Sequence, residues 1–184
     1  MNKTVSELDK AHLALLRNNI ESFMSRVGGT QGYVGAGAAL LLDVAPQDHR
    51  GARPFFPDNV KVETLDIDPQ SSADHIADLC SCADVIGHER FDFIVCTEVL
   101  EHTRQPFDAT RNMLQMLKPG GLVFVSTPFN FRIHGPLPDC WRFTEHGLRE
   151  LFKDYEILEL EALESEHRFL MPVQYTLVAR RPGV

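Results

Sequence analysis

The sequence is short of positive charge, of paired cysteines and of long apolar runs, and each shortage closes off a class of function. Lys and Arg number 18 against 26 Asp and Glu, a formal net charge of −8. Duplex nucleic acid and anionic membranes both require clustered cationic side chains, so neither is an expected partner, and a small or weakly charged substrate is easier to accommodate. The four cysteines, Cys80, Cys82, Cys96 and Cys140, lack paired C-x-x-C spacing, which argues against a zinc site. The amino-terminal stretch MNKTVSELDKAHLALL is polar where a signal peptide needs an apolar core, and no run approaches the length of a membrane span. A cytoplasmic protein is expected, and a reducing compartment argues against disulfides.

Glycine is missing where a dinucleotide-binding loop would need it. Behind the first apolar strand come Ala45, Pro46, Gln47, Asp48 and His49, with no glycine before Gly51. A nicotinamide-dependent oxidoreductase is disfavoured on that ground. The run GYVGAGAA at 32–39 precedes the strand, whereas a cofactor loop must follow one, so it is expected to be a linker.

What remains suits one compact domain over 1–184, with 43% hydrophobic content. Val5, Leu8, His12, Leu15, Leu16, Ile20, Phe23, Met24 and Val27 recur at helical spacing before Gly28 and Gly29, giving an amphipathic amino-terminal helix within 1–29. The segments ALLLDVA, KVETLDI, FDFIVCT and GLVFVSTP form apolar strands, with a helix at 105–117 between the last two. After a second helix near 144–153, YEILELEAL and QYTLVARR alternate as two strands with a short connection. Strands alternating with helices indicate an α/β core over 39–182: a Rossmann-like, doubly wound, mostly parallel sheet with an antiparallel C-terminal hairpin.

In such sheets the ligand lies beyond the carboxyl ends of the strands, which directs attention to 43–47, 66–68, 96–98 and 127 onward. Asp66 ends the second strand, where a carboxylate can accept from both ribose hydroxyls or serve as a turn or N-cap acid. The stretch TEVLEH at 97–102 places Glu98, Glu101 and His102 at i, i+3 and i+4, one face of a helical turn.

LLDVAPQ, VETLDIDP, HIADLC, FDFIVCTEVLEH and LKPGGLVFVSTP occur in the order and spacing of class I S-adenosylmethionine-dependent methyltransferases, which the chain resembles over roughly 39–182. The resemblance implies S-adenosylmethionine as cofactor. The loop with Asp43, Ala45 and Gln47 would hold its amino-acid end, Asp66 and Ile67 its ribose, and Asp78 and Leu79 its adenine, with Thr97 also at the site. That family's first loop usually reads G-x-G-x-G. Either Gln47 or Asp48 supplies polar contacts here, or cofactor binding is weak or lost and the protein is a catalytically inactive methyltransferase-like binding or regulatory protein.

A narrower resemblance concerns TEVLEH. E-x-x-E-H at this position is similar to the magnesium site of small-RNA 3′-terminal methyltransferases and of ubiquinone-pathway O-methyltransferases. It implies Glu98, Glu101 and His102 as ligands of Mg²⁺ or Mn²⁺, with His134, from the proline-bearing segment TPFNFRIHGPLPDCWRFTEHGL, as a fourth. Alternatively Glu101 and His102 are polar residues at a helix start, or His102 or His134 acts as general base. Trp141, beside Asp139 and Arg142, could stack on a sugar ring or pack the loop onto the sheet. The H…P-x-D-x-W-R-F-T pattern resembles bacterial methyltransferases of surface glycans. The expected activity is therefore O-methylation of a saccharide or similar polyol, as in glycan biosynthesis.

Overall fold

A computed structural model describes residues 5–29, 32–46, 51–166 and 168–183. Helix α1 runs from Glu7 to Gly28, and its N-cap is Ser6, whose side-chain oxygen accepts from the Asp9 amide at 3.1 Å. Its buried stripe of His12, Leu16, Phe23, Met24 and Val27 follows the helical period seen in the sequence. The glycine-bearing residues 32–38 then lead into the sheet as a connection outside helix and strand, in keeping with a linker.

Seven strands form one sheet: β1 (Ala39–Val44), β2 (Val60–Asp66), β3 (His75–Ile76), β4 (Phe91–Thr97), β5 (Leu117–Pro128), β6 (Glu156–Leu163) and β7 (Gln174–Arg180). Their order is β3-β2-β1-β4-β5-β7-β6. The first five are parallel, β7 runs antiparallel to β5, and β6 runs antiparallel to β7. β1 lies between β2 and β4, so the winding reverses there and a crevice opens beyond the carboxyl ends of β1 and β4. The doubly wound α/β fold with an antiparallel C-terminal pair expected from the sequence is the fold observed.

Helices cover both faces. On one face α2 (Ala83–Ile86), α3 (Pro106–Met116) and α4 (Glu145–Leu151) pack on Leu42, Ile94, Val123, Val125 and Leu177. On the other, Phe23, Met24 and Val27 of α1, joined by Ala52 and Phe56, cover Leu41, Phe93, Phe124 and Val178. Burying one large apolar side chain contributes about 1.5–3 kcal/mol, so these two layers hold the strands in register. The crossovers from β1 to β2 and from β2 to β3 are spare. Among the described residues the first carries only a 3₁₀ turn at Arg53–Phe55, and the second carries no helix.

Three details depart from the sequence reading. β5 begins at Leu117 and absorbs the K-P-G-G segment, where Gly120 takes φ +78°, a left-handed conformation that disfavours a side chain. The β6–β7 connection is not short but spans 164–173. Strand β3 and helix α2, each too brief to show a period, were not anticipated.

Candidate active site

Asp43, expected from the sequence to border the cofactor, lies one residue before β1 ends. Its carboxylate accepts from the Ala52 amide at 2.6 Å and is almost wholly buried. Burial pushes this carboxyl up to about 6, against the lowering effect of the Ala52 N–H. A Cβ on Gly51, which has φ +58°, would overlap the Asp43 carboxylate. Gly51 is thus needed for the backbone to pass close to Asp43 and Pro46. Ala45 adopts φ 52°, a left-handed conformation, and its amide donates to Leu65 O at 2.7 Å. Gln47 lies outside the described residues, as do Asp48 and His49.

Asp66 ends β2 and accepts from the Asp68 amide through Oδ1 at 2.9 Å. Ile67 beside it is 66% exposed, an apolar surface without a cover among the described residues. Asp78 is exposed and caps Cys80 N at 2.9 Å. Leu79 instead packs in the core with α2 and α3, so its side chain is core rather than open adenine wall. Thr97 closes β4 opposite Ser126.

The TEVLEH segment does not present three side chains on one helical face. Glu98 has φ 54°, a strained conformation for a side chain, and stands outside the 3₁₀ turn Leu100–His102 that carries the other two. The cause lies in its partners: Oε1 of Glu98 accepts from Ser126 Oγ and from Gln174 Nε2, both at 2.8 Å. Gln174 is itself oriented by the Asn19 amide of α1, which donates to its Oε1 at 2.7 Å. Burial pushes the Glu98 carboxyl up to about 7, with the hydrogen bonds from Gln174 and Ser126 pulling the other way.

Glu101 is 0% exposed, and neither carboxylate oxygen has a hydrogen-bond partner among the described residues. Such a group costs several kcal/mol unless a proton or cation joins it. Burial, and then the charge of Glu98, raises its carboxyl well above the ordinary value. Two imidazoles face it: Nε2 of His102 lies 3.6 Å from Glu101 Oε1, and Nε2 of His134 lies 3.7 Å from the same atom. One ligand atom from each of these three residues falls within 4.8 Å of the others. Glu98, expected as a fourth member, is not in this group.

Both imidazoles are held by their other nitrogen. His102 Nδ1 donates to Pro138 O at 2.9 Å, and His134 Nδ1 faces Arg132 O at 3.3 Å and Asp139 Oδ2 at 3.1 Å. Acceptors around Nδ1 fix the proton there, so in the neutral ring each Nε2 turns a lone pair toward Glu101. Burial holds the His134 imidazole below its ordinary value, with Asp139 pulling the other way.

Asp139 and Arg142 do not offer free groups to a sugar. The Arg142 guanidinium binds Asp139 Oδ1 at 2.5 Å and Oδ2 at 2.8 Å, and also donates to Phe131 O and Arg132 O. Burial opposes the Asp139 charge, but these bonds and the His134 amide outweigh it and hold the carboxyl down to about 2. The pair is a strut that folds the 129–144 segment over the 3₁₀ turn, with Cys140 and Trp141 amides donating to Glu101 O at 2.7 and 3.2 Å. Trp141 donates Nε1–H to Thr103 O at 2.8 Å and stacks on Phe143, the residue still 41% exposed.

The structure thus unites Glu101, His102 and His134, sets Glu98 beside them on separate supports, and arranges Asp43, Asp66 and Asp78 along the neighbouring strand ends. Sequence reasoning missed Asn19, Ser126 and Gln174. The one available signal was an amide opening the largely buried strand QYTLVAR.

The methyltransferase domain family matches residues 27–175. The chain belongs to that family. S-adenosylmethionine is the methyl donor of such methyltransferases, and the chain matches only a small part of the length of its curated relatives. A ubiquinone biosynthesis O-methyltransferase of Pseudomonas putida (strain W619) is 51% identical over 39 residues, which span 21% of this chain and 17% of that relative. The [4+2]-cyclase SpnF superposes with a TM-score of 0.69 at 16% identity, covering 91% of this chain and 82% of that one. A structure of the Haloferax volcanii Trm112 methyltransferase activator with a methyltransferase gives a TM-score of 0.71 at 13% identity, covering 96% and 93%. The N-methyltransferase NodS of Bradyrhizobium japonicum WM9, bound to S-adenosyl-L-homocysteine, gives 0.61 at 16%, covering 91% and 88%. At these identities the superpositions establish the fold, and the acceptor must be argued from the site.

Proposed function

We propose that this methyltransferase transfers the methyl group of S-adenosylmethionine to a hydroxyl oxygen of a saccharide or similar polyol-bearing small molecule, with a divalent cation held by Glu101, His102 and His134. The observation that carries the proposal is the fully buried Glu101 carboxylate, unpartnered among the described residues and faced by two imidazole Nε2 atoms. The donor set fits an ion. Separations of 3.6 and 3.7 Å are too long for hydrogen bonds and longer than the roughly 3.0 Å between adjacent ligands of an octahedral ion, so the three side chains would draw together around one. Backbone carbonyl and carboxylate partners on the Nδ1 side are the usual supports of ligating histidines. One carboxylate and two imidazoles make a mixed oxygen and nitrogen set that suits Mn²⁺, iron or zinc as well as Mg²⁺. When bound, such an ion would favour the alkoxide form of a contacting hydroxyl and orient it.

The chain's own residues supply the remainder. Asp66 has the acceptor geometry for ribose hydroxyls, and Ile67 beside it offers an apolar surface for the nucleoside. Asp43, Ala45 and Gly51 shape the loop expected to hold the amino-acid end. Glu98, with Oε2 carrying no hydrogen bond among the described residues, is placed to take the hydroxyl proton, and its carboxyl near 7 suits a base at neutral pH. As that proton leaves, the oxygen lone pair forms the new C–O bond while the C–S bond breaks and its electrons return to sulfur. Without an ion, His102 or His134 Nε2 would take the proton instead. Trp141, partly exposed and backed by the buried Phe143, gives an aromatic face suited to a sugar ring.

Transfer of a labelled methyl group to a panel of polyols and glycosides tests the reading. The expected product is a methyl ether, lost in Glu101→Ala, His102→Ala and His134→Ala. A label found on nitrogen or carbon would overturn O-methylation. Full activity in chelator would remove the ion and leave the histidine-base route.

A further inference from the structure

Large apolar side chains stand exposed around this mouth on two connections that meet there. Ile133 and Leu137 (76% exposed) come from the segment after β5, and Phe169 (86% exposed) and Leu170 from the β6–β7 connection. The two segments are stitched together, with Phe129 N donating to Val173 O at 2.9 Å and Asn130 N to Pro172 O at 3.1 Å. The start of α1 joins them through His12 Nδ1, 3.1 Å from Asn130 O, and one turn earlier the exposed Leu8 continues the stripe of His12. Away from the mouth, exposed large apolar side chains such as Ile76, Val85 and Phe107 stand one to an element. Scattered apolar residues need no explanation, whereas a cluster framing reactive groups marks a binding surface.

Charge follows the same boundary. In a chain of net charge −8, Arg132 and Arg168 immediately precede the exposed Ile133 and Phe169 on these two connections. The Arg132 guanidinium lies 3.8 Å from the Asp9 carboxylate. The Arg168 guanidinium lies 3.2 Å from the Asn130 side-chain amide oxygen once that amide is turned to accept. Two guanidiniums thus accompany the exposed apolar side chains on the connections that flank the carboxylate and imidazoles of the crevice.

We propose that the acceptor is an amphiphile: a hydroxylated head directed at Glu101, His102 and His134, an anionic linker between Arg132 and Arg168, and a hydrocarbon part on Ile133, Leu137, Phe169 and Leu170. The direction of the head rests on the O-methylation reading above. Binding of the tail does not, so the two can fail separately. A small hydrophilic acceptor would leave the apolar rim facing water.

Trp141, the only tryptophan, reports occupancy of the mouth by fluorescence. Lysophosphatidylglycerol below its micelle concentration should bind saturably and shift Trp141 emission, and glycerol 3-phosphate should bind roughly tenfold more weakly or worse. Phe169→Ser with Leu170→Ser, and separately Leu137→Ser, should each weaken lysolipid binding by roughly tenfold, while calorimetric affinity for S-adenosylhomocysteine is kept. Arg132→Ala with Arg168→Ala should weaken both probes. Equal binding of lysolipid and glycerol 3-phosphate, or unchanged binding by the serine variants, would overturn the proposal. So would binding only to phosphatidylglycerol vesicles with none to monomeric lysolipid, which would mark membrane docking. Light scattering that shows the rim closed by a second copy in solution would overturn it as well.

Discussion

Gln174 donates its side-chain amide to Glu98 Oε1 at 2.8 Å, and it can do so only in the orientation that Asn19 imposes from α1. An acid at the crevice is therefore aimed by a residue on the amino-terminal helix. Gln174→Leu should remove one donor from the Glu98 carboxylate, raise its pKa further and move the acid limb of the methyl-transfer pH profile upward. Gln174→Glu should do more, by adding a like charge. Asn19→Ala should reproduce part of the Leu effect. A profile unmoved by all three would limit Gln174 to packing.

Glu101 offers a test that needs no acceptor. Glu101→Gln removes a buried carboxyl that either stays ionised without a partner among the described residues or takes up a proton on folding, and should stabilise the ion-free protein by about 1–3 kcal/mol. The native protein should gain thermal stability with Mn²⁺ in a concentration-dependent way, because an ion that binds only the folded state stabilises it by mass action. The variant should lose that response. Equal Mn²⁺ responses in both proteins would count against the site.

Asp43 predicts a pH dependence. Its folded carboxyl, near 6, lies above the ordinary value of 3.8. The unfolded chain gives up this proton first, so the contribution is complete below about pH 4 and is lost as pH rises through about 6. Asp43→Asn should flatten stability over that window, by on the order of 1–3 kcal/mol in denaturant titrations. An unchanged slope would mean that Asp43 titrates normally.

Gly51→Ala combines a left-handed backbone with overlap on the Asp43 carboxylate. A loss of about 1–3 kcal/mol is expected, together with weaker S-adenosylhomocysteine binding by calorimetry. If Gly51→Ala binds like the native protein, the Asp43 loop is not part of the cofactor site.

The fold was legible because the strands of a covered sheet read as unbroken apolar runs, and LLLDV and FDFIV needed no tertiary knowledge. Glu101, His102 and His134 were also within reach, two through adjacency and one through a proline-bearing segment. Glu98 was placed on the wrong support. Its spacing invited a helical turn, but the turn begins two residues later, and long-range donors from Ser126 and Gln174 hold the backbone out of it. No periodicity can reveal a bond between residues 76 positions apart. The apolar rim escaped notice for a related reason: Ile133, Leu137, Phe169 and Leu170 look ordinary singly, and only the pairing of the two connections gathers them.

Residues 27–175 carry the family match, yet β7 continues to Arg180 between β5 and β6, and α1 contributes Asn19, Phe23 and Met24 from before that span. Trimming expression boundaries to the matched segment would strip one flank of its cover and sever most of the strand that anchors β6. Such a fragment would be inert because it could not assemble, and its silence would carry no information about the chemistry of the intact chain.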